Sequence, residues 1–191
     1  QFEAPVDFAF VAVPVMTDEV YLRGRFKNAT AFHLLPGPAG IFMGGNYIGR
    51  TQMESFPPDS EIELFFGSDP QLSARREMLT KNTGESGVFG GWVRTDYRFV
   101  LTLENAGDSP VRMEVWGRRP VSQSDQIEVS IENLSEPLST VASYLETGKP
   151  RGLLCWNVMV PANRTGDDAY QITYDLEIER REGAQMTPLP E

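Results

Sequence analysis

Catalytic chemistry in this chain has few side chains to draw on, because it contains one histidine, His33, and one cysteine, Cys155. Any Ser–His or Cys–His mechanism must use His33 as its base. The apolar neighbours Phe32 and Leu34 favour a structural role for this histidine instead. Strand alternation places Cys155 on the face opposite Trp156, which we expect in the core. No base adjacent in sequence would activate the thiol, so we expect no catalytic residues.

A phosphate-binding loop is suggested by the spacing of Gly44, Gly49, Arg50 and Thr51, with Arg in place of the usual Lys. Such a loop must open a helix, because the amide dipoles of the helix meet the phosphates. The next residues, 52–58, include two consecutive prolines and have no helical periodicity. The context therefore argues against nucleotide binding, and we expect no cofactor.

Carboxylates are more plentiful, and Glu61 and Glu63 would share one face of a strand, as the two acids of a glycosidase would. Such pairs arise by chance on any acidic sheet, so a solvated face is the simpler interpretation. No run of oxygen ligands in the sequence has the spacing of a calcium loop, and we expect no metal site. Asn-x-Ser/Thr sequons begin at Asn28, Asn133 and Asn163, and they matter only in a eukaryotic secretory setting.

The charge balance restricts the partners of the chain. Its 17 basic and 27 acidic residues give a net charge of −10, which disfavours nucleic acid and anionic lipid surfaces as partners. No apolar run reaches the roughly 18 residues of a membrane helix, so we expect no membrane insertion. A single cysteine cannot form an internal disulfide, which leaves the compartment open. Because the first residue is Gln1, we interpret the chain as an excised or processed piece of a larger protein.

The elements that must position these residues are predicted to be strands, because polar and apolar residues alternate along most of the chain. The clearest alternation sets Tyr170, Ile172 and Tyr174 against Gln171 and Thr173. Helical periodicity is weak, and residues 73–80, the best helical alternative, are interpreted as a strand. The predicted strands cover residues 8–15, 20–27, 61–67, 97–103, 111–115, 126–132, 153–160 and 170–178.

Many antiparallel strands with short connections predict an all-β fold, an antiparallel β-sandwich of one or two immunoglobulin-like units with long β-hairpins. Parallel α/β architectures are excluded, since no crossover helices are predicted. We interpret residues 1–191 as a single all-β domain of a larger protein. The alternative is a boundary between two sub-units near residues 70–91, and a mobile hairpin tip explains that Gly- and Ser-rich stretch equally well. Residues 186–191 contain two prolines and are predicted to form a tail.

A β-hairpin is predicted within residues 34–51, because two glycines and an asparagine at 44–46 separate two apolar runs and tolerate the positive φ angles of a tight turn. A second tip is predicted around the glycines of 87–91. Solvated tips would expose aromatic and apolar side chains to a partner, whereas packing in the core is the competing interpretation for each of them. The candidate contact residues are Phe42, Met43, Tyr47, Phe89 and Trp92.

Short motifs follow one another in a distinctive order. They are Leu-Pro-Gly-Pro at 35–38 leading to Gly-Arg at 49–50, Glu-Ile-Glu-Leu at 61–64 through Gly-Ser-Asp-Pro at 67–70, Arg-Pro-Val-Ser at 119–122 before Ile-Glu-Val at 127–129, and Gly-Leu-Leu-Cys-Trp at 152–156. Together they resemble the C-terminal domain of the mucoidy-inhibitor-A family, a domain of unknown function. The resemblance covers nearly the whole chain.

This resemblance implies an all-β domain that normally follows a separate N-terminal domain and a coiled-coil-like segment. It also implies a location in the bacterial periplasm or cell envelope, because the family is named for an effect on exopolysaccharide production. It supplies no catalytic residues.

Two hypotheses for the function follow from these observations. The first is a non-enzymatic interaction module of an envelope-associated protein, which binds another protein or a second copy of itself through hairpin tips or unpaired sheet edges. An exposed apolar patch around Phe42 and Tyr47 would favour it. The alternative is a carbohydrate-binding module or a polysaccharide-processing enzyme. A groove that pairs Trp92 or Trp116 with two carboxylates would favour that alternative.

Overall fold

Strands make up most of the structure, a computed structural model that describes residues 2–86 and 91–184. The strands within these ranges are β1 (Asp7–Ala12), β2 (Glu19–Lys27), β3 (Gly37–Met43), β4 (Asn46–Met53), β5 (Glu61–Ser86), β6 (Trp92–Asn105), β7 (Val111–Arg118), β8 (Ile127–Glu132), β9 (Leu153–Val160) and β10 (Tyr170–Arg181). Short helical segments are the π-helix Tyr144–Gly148 and the 3-10 turns Lys149–Arg151 and Gly166–Asp168. None of the described helices combines the length and apolar character of a bilayer span.

Eight strands form one mixed sheet in the order β8-β10-β6-β5-β2-β1-β7-β9, and β3 and β4 form a separate two-stranded sheet. The all-β prediction is confirmed. The expectation of a purely antiparallel fold is wrong at one pair, because β1 runs parallel to β7, with Phe10 opposite Met113 and Ala12 opposite Val115. The crossover that a parallel pair requires is supplied by the intervening strands rather than by a helix.

Strand β5 turns this single sheet into two layers. Its first part pairs with β2, and its second part, from Leu72 onward, pairs with β6. The register with β2 is irregular between Ser68 and Ser73, and Pro70, which cannot donate to a ladder, lies at this irregularity. Trp156 of β9 and Tyr174 of β10 have ring centres 5.4 Å apart, although their strands lie far apart in the sheet order. The sheet therefore closes over itself as a β-sandwich, as predicted.

The core lies between the two layers and is built by strand alternation. Trp156 is completely buried, as predicted, and Ile172, Tyr174, Leu176 and Ile178 are buried along one face of β10. Side chains from β1, β2, β5, β6, β7, β9 and β10 belong to one continuous cluster. Burial of each large apolar side chain contributes about 1.5–3 kcal/mol to folding.

The region where a sub-unit boundary was one alternative is partly a strand. Residues 70–86 continue β5 without a break, and residues 73–80 are a strand, as predicted. Leu72 and Ala74 of this strand belong to the shared core cluster. Residues 87–90 at the predicted second tip and residues 186–191 of the predicted tail lie outside the described ranges.

Candidate functional site

The predicted contact residues are divided between two hairpins. Phe42 and Tyr47 flank the tip of the β3–β4 hairpin and are 64% and 59% exposed. Met43 is the last residue of β3. Trp92 begins β6 in the large sheet and is half-buried. Phe89 lies outside the described residues. The structure therefore brings Phe42 and Tyr47 together and places Trp92 in the other sheet.

The hairpin tip depends on glycine. Gly44 and Gly45 form its two-residue connection with φ angles of 56° and 83°, which are strained for other residues. Phe42 and Tyr47 are direct cross-strand partners, and their rings pack edge to face with centres 5.4 Å apart. A Cβ atom at Gly40 would lie 3.3 Å from the Phe42 ring, so the missing side chain lets the rings lie close to the strand. The result is a compact, exposed aromatic pair.

The two faces of this hairpin have different surroundings. Ile41 is adjacent to Phe42 in β3, so its side chain points to the opposite face, and that side chain is buried. Ile48, which the ladder register skips, is partly exposed beside Tyr47. The aromatic pair therefore lies on the solvent side of the hairpin, and Ile41 marks the side that packs against the protein.

A buried asparagine fixes the base of the hairpin. The Nδ2 atom of Asn28 donates to the carbonyl oxygens of Phe32, Phe56 and Pro57 at 2.9–3.1 Å, and its Oδ1 atom accepts from Thr30. Two backbone hydrogen bonds then join Leu34 to Phe56 across the base. The segments on both sides of the hairpin are thereby tied to β2. Since Asn28 is buried and its amide is used, this sequon is not an accessible glycosylation site in the folded protein.

His33 lies on the surface near the same base, and its Nε2 atom is 2.6 Å from Oγ of Ser55. A serine and a histidine at this distance form the first half of a nucleophilic triad. Among the described residues, no carboxylate makes a hydrogen bond to the ring of His33. The structural role of this histidine stays a prediction.

A concave cleft of about 510 Å³ lies on the outer face of the layer that contains β1, β2, β7 and β9. The segment 139–147, which includes the start of the π-helix, forms one wall. Its floor is polar, as is usual for the outer face of a sheet. The side chains that line it from the strands are Asp7, Ala9, Arg23, Arg25, Arg112, Glu114, Trp116, Cys155 and Asn157.

The centre of this cleft is a buried ion pair. Nη1 and Nη2 of Arg23 donate to the two carboxylate oxygens of Glu114 at 2.9 and 2.7 Å. Arg23 belongs to β2 and Glu114 to β7, so the guanidinium crosses β1, where the short side chain of Ala9 stands opposite Arg23. Nε1 of Trp116 also donates to Glu114 at 2.7 Å. The pair therefore holds the indole in a fixed orientation.

Electrostatics in the cleft follow from this pairing. Burial alone would raise the pKa of Glu114, but the hydrogen bonds and charge of Arg23 outweigh burial and hold that pKa below its usual value. Burial, followed by the charge of Glu114, raises the pKa of the Cys155 thiol to about 12. Cys155 is therefore protonated at neutral pH and packed, as predicted, and it is a poor nucleophile.

The cleft was missed in the sequence. Alternation in β2 already placed Arg23 and Arg25 on one face, and alternation in β7 placed Glu114 and Trp116 on one face. What joins these faces is the parallel β1–β7 pair, which links segments about 100 residues apart and has no local sequence signal. The charged residues of β2 and β7 could be identified from the sequence, but their proximity in the fold could not be predicted from it.

Other carboxylates are paired with arginines on sheet faces. Glu63, one of the pair considered for glycoside hydrolysis, lies 2.7 Å from Nε of Arg25, and Glu61 lies 3.9 Å from the same atom. On the second layer, burial raises the pKa of Glu177, which also pairs with Arg94 at 2.7 Å. Within the part of the chain that the structure describes, no cluster of three metal-ligating side chains occurs.

The fold and surfaces together define a β-sandwich domain with an exposed aromatic hairpin and a polar cleft. The chain belongs to the family described as Domain of unknown function (DUF4139), whose model matches residues 5–179. It is 21% identical over 131 residues to Protein F37C4.5 of Caenorhabditis elegans, a match that covers 69% of this chain and 24% of the worm protein. The chain thus spans about a quarter of that relative's length. No solved structure matches the chain.

Proposed function

We propose that this domain is a non-enzymatic interaction module that binds another protein through the tip of the β3–β4 hairpin. The observation that carries the proposal is the exposed edge-to-face pair of Phe42 and Tyr47. Two large aromatic side chains in water at the end of a hairpin leave apolar area that a partner can bury. Removing such apolar area from water favours association.

The form of the hairpin supports recognition by insertion. Aromatic side chains that enter a pocket of the partner contribute most of the binding energy in many interfaces. The Asn28 network holds the hairpin base in place, so less conformational entropy is lost on binding than with a free loop. A convex aromatic tip fits a partner protein with a concave apolar groove.

The relative orientation of the two rings favours a protein partner over a sugar chain at this tip. The ring planes of Phe42 and Tyr47 are inclined at 65°. A flat saccharide stacks on ring faces, and two rings at this angle do not offer a common flat surface. An apolar pocket can accept both rings at once.

We also propose that the parent protein is of the mucoidy-inhibitor-A type and is associated with the bacterial cell envelope. The order of the motifs from residues 35–38 to residues 152–156 supports this assignment. Membership of a family of unknown function is compatible with it. Fractionation of cells that express the full-length protein tests the location, and recovery only in the cytosolic fraction would contradict it.

The interaction proposal predicts that Tyr47→Ser and Phe42→Ser weaken partner binding at least about tenfold without unfolding the domain, because aromatic anchors contribute 2 kcal/mol or more. The measurement is affinity capture from envelope and soluble fractions of the source organism, quantified by mass spectrometry. A protein captured in this way is then purified and titrated against the domain. Met159→Ser is the matched control, because Met159 is 56% exposed on β9, away from the hairpin.

The outcomes of this experiment are distinct. A purified protein that binds the wild type and the Met159→Ser variant, but not the two tip variants, supports the proposal. Equal binding by all four proteins excludes the tip as the interface. Sedimentation that shows a dimer of the wild type, lost in Tyr47→Ser, identifies a second copy of the chain as the occupant of the tip instead. If Tyr47→Ser alone lowered the unfolding temperature, Tyr47 would contribute to the stability of the domain and would not be a free contact residue.

A carbohydrate-binding function is the second candidate, and one observation favours it. Trp116 shares the cleft with two carboxylates, Asp7 and Glu114. Both carboxylates accept hydrogen bonds from arginines, Asp7 from Arg112 at 2.7 Å and Glu114 from Arg23. Glu114, whose pKa lies below its usual value because of Arg23, supports binding rather than hydrolysis, because a glycosidase acid needs a raised pKa and an accessible proton.

A further inference from the structure

The polar cleft has a floor that folding stability alone does not explain. Arg23 is buried, and its Nε atom has no hydrogen-bond partner in the described part of the chain, although a carboxylate oxygen of Glu63 lies 3.7 Å away. A buried arginine–carboxylate pair stabilises a fold less than apolar side chains of similar size would, because both charges lose their hydration. The attraction between Arg23 and Glu114 is therefore largely offset by the loss of hydration, and the pair adds little to stability. What it provides is a rigid set of polar atoms at the base of a cavity.

The charges around the cleft are balanced. Arg23 pairs with Glu114 and Arg112 with Asp7, and each of these contacts measures 2.7 Å. Arg25 of the same floor pairs with Glu63, again at 2.7 Å. Each of the three guanidinium groups that line the cleft is thus paired with a carboxylate, and two of these carboxylates, Asp7 and Glu114, line the cleft as well. Because every guanidinium charge is already paired, a neutral ligand with hydroxyl groups finds donors and acceptors without displacing an ion pair.

The remaining lining suits a ring that carries hydroxyl groups. The indole of Trp116 is partly buried and packs edge to face against Tyr144, with ring centres 6.0 Å apart. Nδ2 of Asn157 donates to Oγ of Ser139 at 2.8 Å. The lining of the cleft therefore includes an amide and a hydroxyl group in addition to the indole. Ligand sites combine such apolar surfaces with a few fixed polar groups and have volumes of roughly 300–1,000 Å³. The cleft, at about 510 Å³, lies within this range.

An unusual local backbone borders the same cleft. Residues Tyr144–Gly148 form a π-helix, and Tyr144 and Thr147 from it line the cavity. π-helical turns are rare and are frequently found at functional sites. A Cβ atom at Gly148 would lie 2.9 Å from the Tyr144 ring, so this glycine allows the turn to close against the aromatic wall. The aromatic wall of the cleft is therefore formed in part by this rare turn.

We infer that this cleft binds a neutral saccharide, with a sugar ring stacked on Trp116 and its hydroxyl groups bound by Arg112 and Asn157. This inference rests on the second candidate function and names its ligand class and its binding residues. It is independent of the hairpin tip, because the cleft and the tip share no residue. Failure of partner capture by the tip therefore leaves the inference standing, and the converse also holds.

The test is a titration of the ¹⁵N-labelled domain with methyl glycosides of glucose, galactose, mannose and N-acetylglucosamine, followed by NMR. The chain has three tryptophans, so the indole N–H signals of Trp92, Trp116 and Trp156 give one probe in the cleft and two internal controls. We expect at least one glycoside to shift the Trp116 signal saturably and to leave the buried Trp156 signal unchanged. No saturable shift of Trp116 with any of the four glycosides overturns the inference.

Two variants with matched exposure locate the site. The side chains of Arg112 and Arg75 are 50% and 51% exposed, and each pairs with carboxylates, but Arg75 lies on β5 outside the cleft. Arg112→Ala should weaken glycoside binding at least tenfold, and Arg75→Ala should not change it. Equal affinity of both variants overturns the assignment of the site. Circular dichroism of both variants confirms that they are folded.

Charged sugars and longer chains complete the experiment. Tighter binding of methyl glucuronide or of glucosamine than of every neutral glycoside overturns the assignment of a neutral ligand. Oligosaccharides of the preferred sugar that bind at least tenfold more tightly than the single ring indicate a polysaccharide as the source. Equal affinity for the oligosaccharide and for the single ring indicates that the ligand is a free sugar or the end of a chain. Both of these results support the inference.

Discussion

Buried polar residues tie together segments that are distant in the sequence. Arg23 reaches Glu114, and Asn28 reaches the carbonyl oxygens of Phe56 and Pro57. Asn105 donates to the carbonyl oxygens of Val160 and Pro161 in the same way. Each contact satisfies groups that would otherwise be buried without a partner. Loss of one side chain therefore leaves its former partners unpaired, which costs more than the bond itself contributed.

The Arg23–Glu114 pair gives the first prediction at this scale. Arg23→Met should lower the free energy of unfolding by about 3–5 kcal/mol, because Glu114 would keep a buried charge without its partner. The double variant Arg23→Met/Glu114→Leu should recover much of this loss. Urea denaturation measures both. A single variant as stable as the wild type would show that Glu114 is solvated, contrary to its 13% side-chain exposure.

Trp156 gives the second prediction. Trp156→Ala should cost about 3–5 kcal/mol of stability, because the completely buried indole leaves a cavity between the layers. Trp156→Phe should cost less, since it also removes an indole N–H that has no hydrogen-bond partner among the described residues. Trp92→Ala, at a half-buried position, is the control. Chemical denaturation followed by circular dichroism distinguishes the three, and equal losses would contradict the core position of Trp156.

At the scale of elements, the β3–β4 hairpin and β5 show how strands are placed by features outside themselves. The hairpin turn is set locally by Gly44 and Gly45, but its attachment is set by Asn28, nine residues before β3 begins. Residues 61–67 and 73–80 were predicted as separate strand segments, and both belong to β5, which continues to Ser86 because both of its halves find partners. Pairing extends a strand beyond the residues that a local pattern identifies.

The hairpin attachment gives a prediction at this scale. Asn28→Ala should destabilise the domain by about 2–3 kcal/mol, because three backbone carbonyl oxygens lose the donor that joins them. Hydrogen exchange of the Leu34 and Phe56 amides should accelerate more than exchange in β10. Asn163→Gly is the control, since Asn163 is exposed and its positive φ suits glycine. Unchanged exchange at the base would mean that the network does not hold the hairpin.

At the scale of the whole molecule, two layers share one core. The layers are joined by the continuous strand β5, and side chains from both belong to the same buried cluster. Neither layer can bury its apolar face without the other. Domains that share a core unfold together, because the loss of one face exposes the other.

We therefore predict a single cooperative unfolding transition. In a Trp92→Phe variant, which lacks the tryptophan of β6, the fluorescence of Trp116 and Trp156 reports on one layer, and far-ultraviolet circular dichroism reports on both. The transitions followed by fluorescence and by circular dichroism should coincide, and the calorimetric and van't Hoff enthalpies should agree. Two separated transitions would support the alternative of two sub-units with a boundary near residues 70–91.

Much of the local structure was determined by the sequence alone. Period-two alternation identified β9 with its observed bounds and β10 to within three residues, and it placed Trp156 in the core. The glycines of the tip predicted the β3–β4 turn, because positive φ angles are a property of single residues. Alternation, turn preference and composition act over a few residues, so a sequence read locally contains them.

Only the tertiary structure decided the rest. The parallel pairing of β1 with β7, the fold of the sheet at β5 and the cleft that results depend on which strands meet, and each meeting joins segments distant in the chain. The same applies to exposure, because alternation assigns a side chain to a face but not to a partner. Arg23 is the buried centre of the cleft because the energy of a charge is set by the neighbours that folding brings to it, and these neighbours are distant in the sequence.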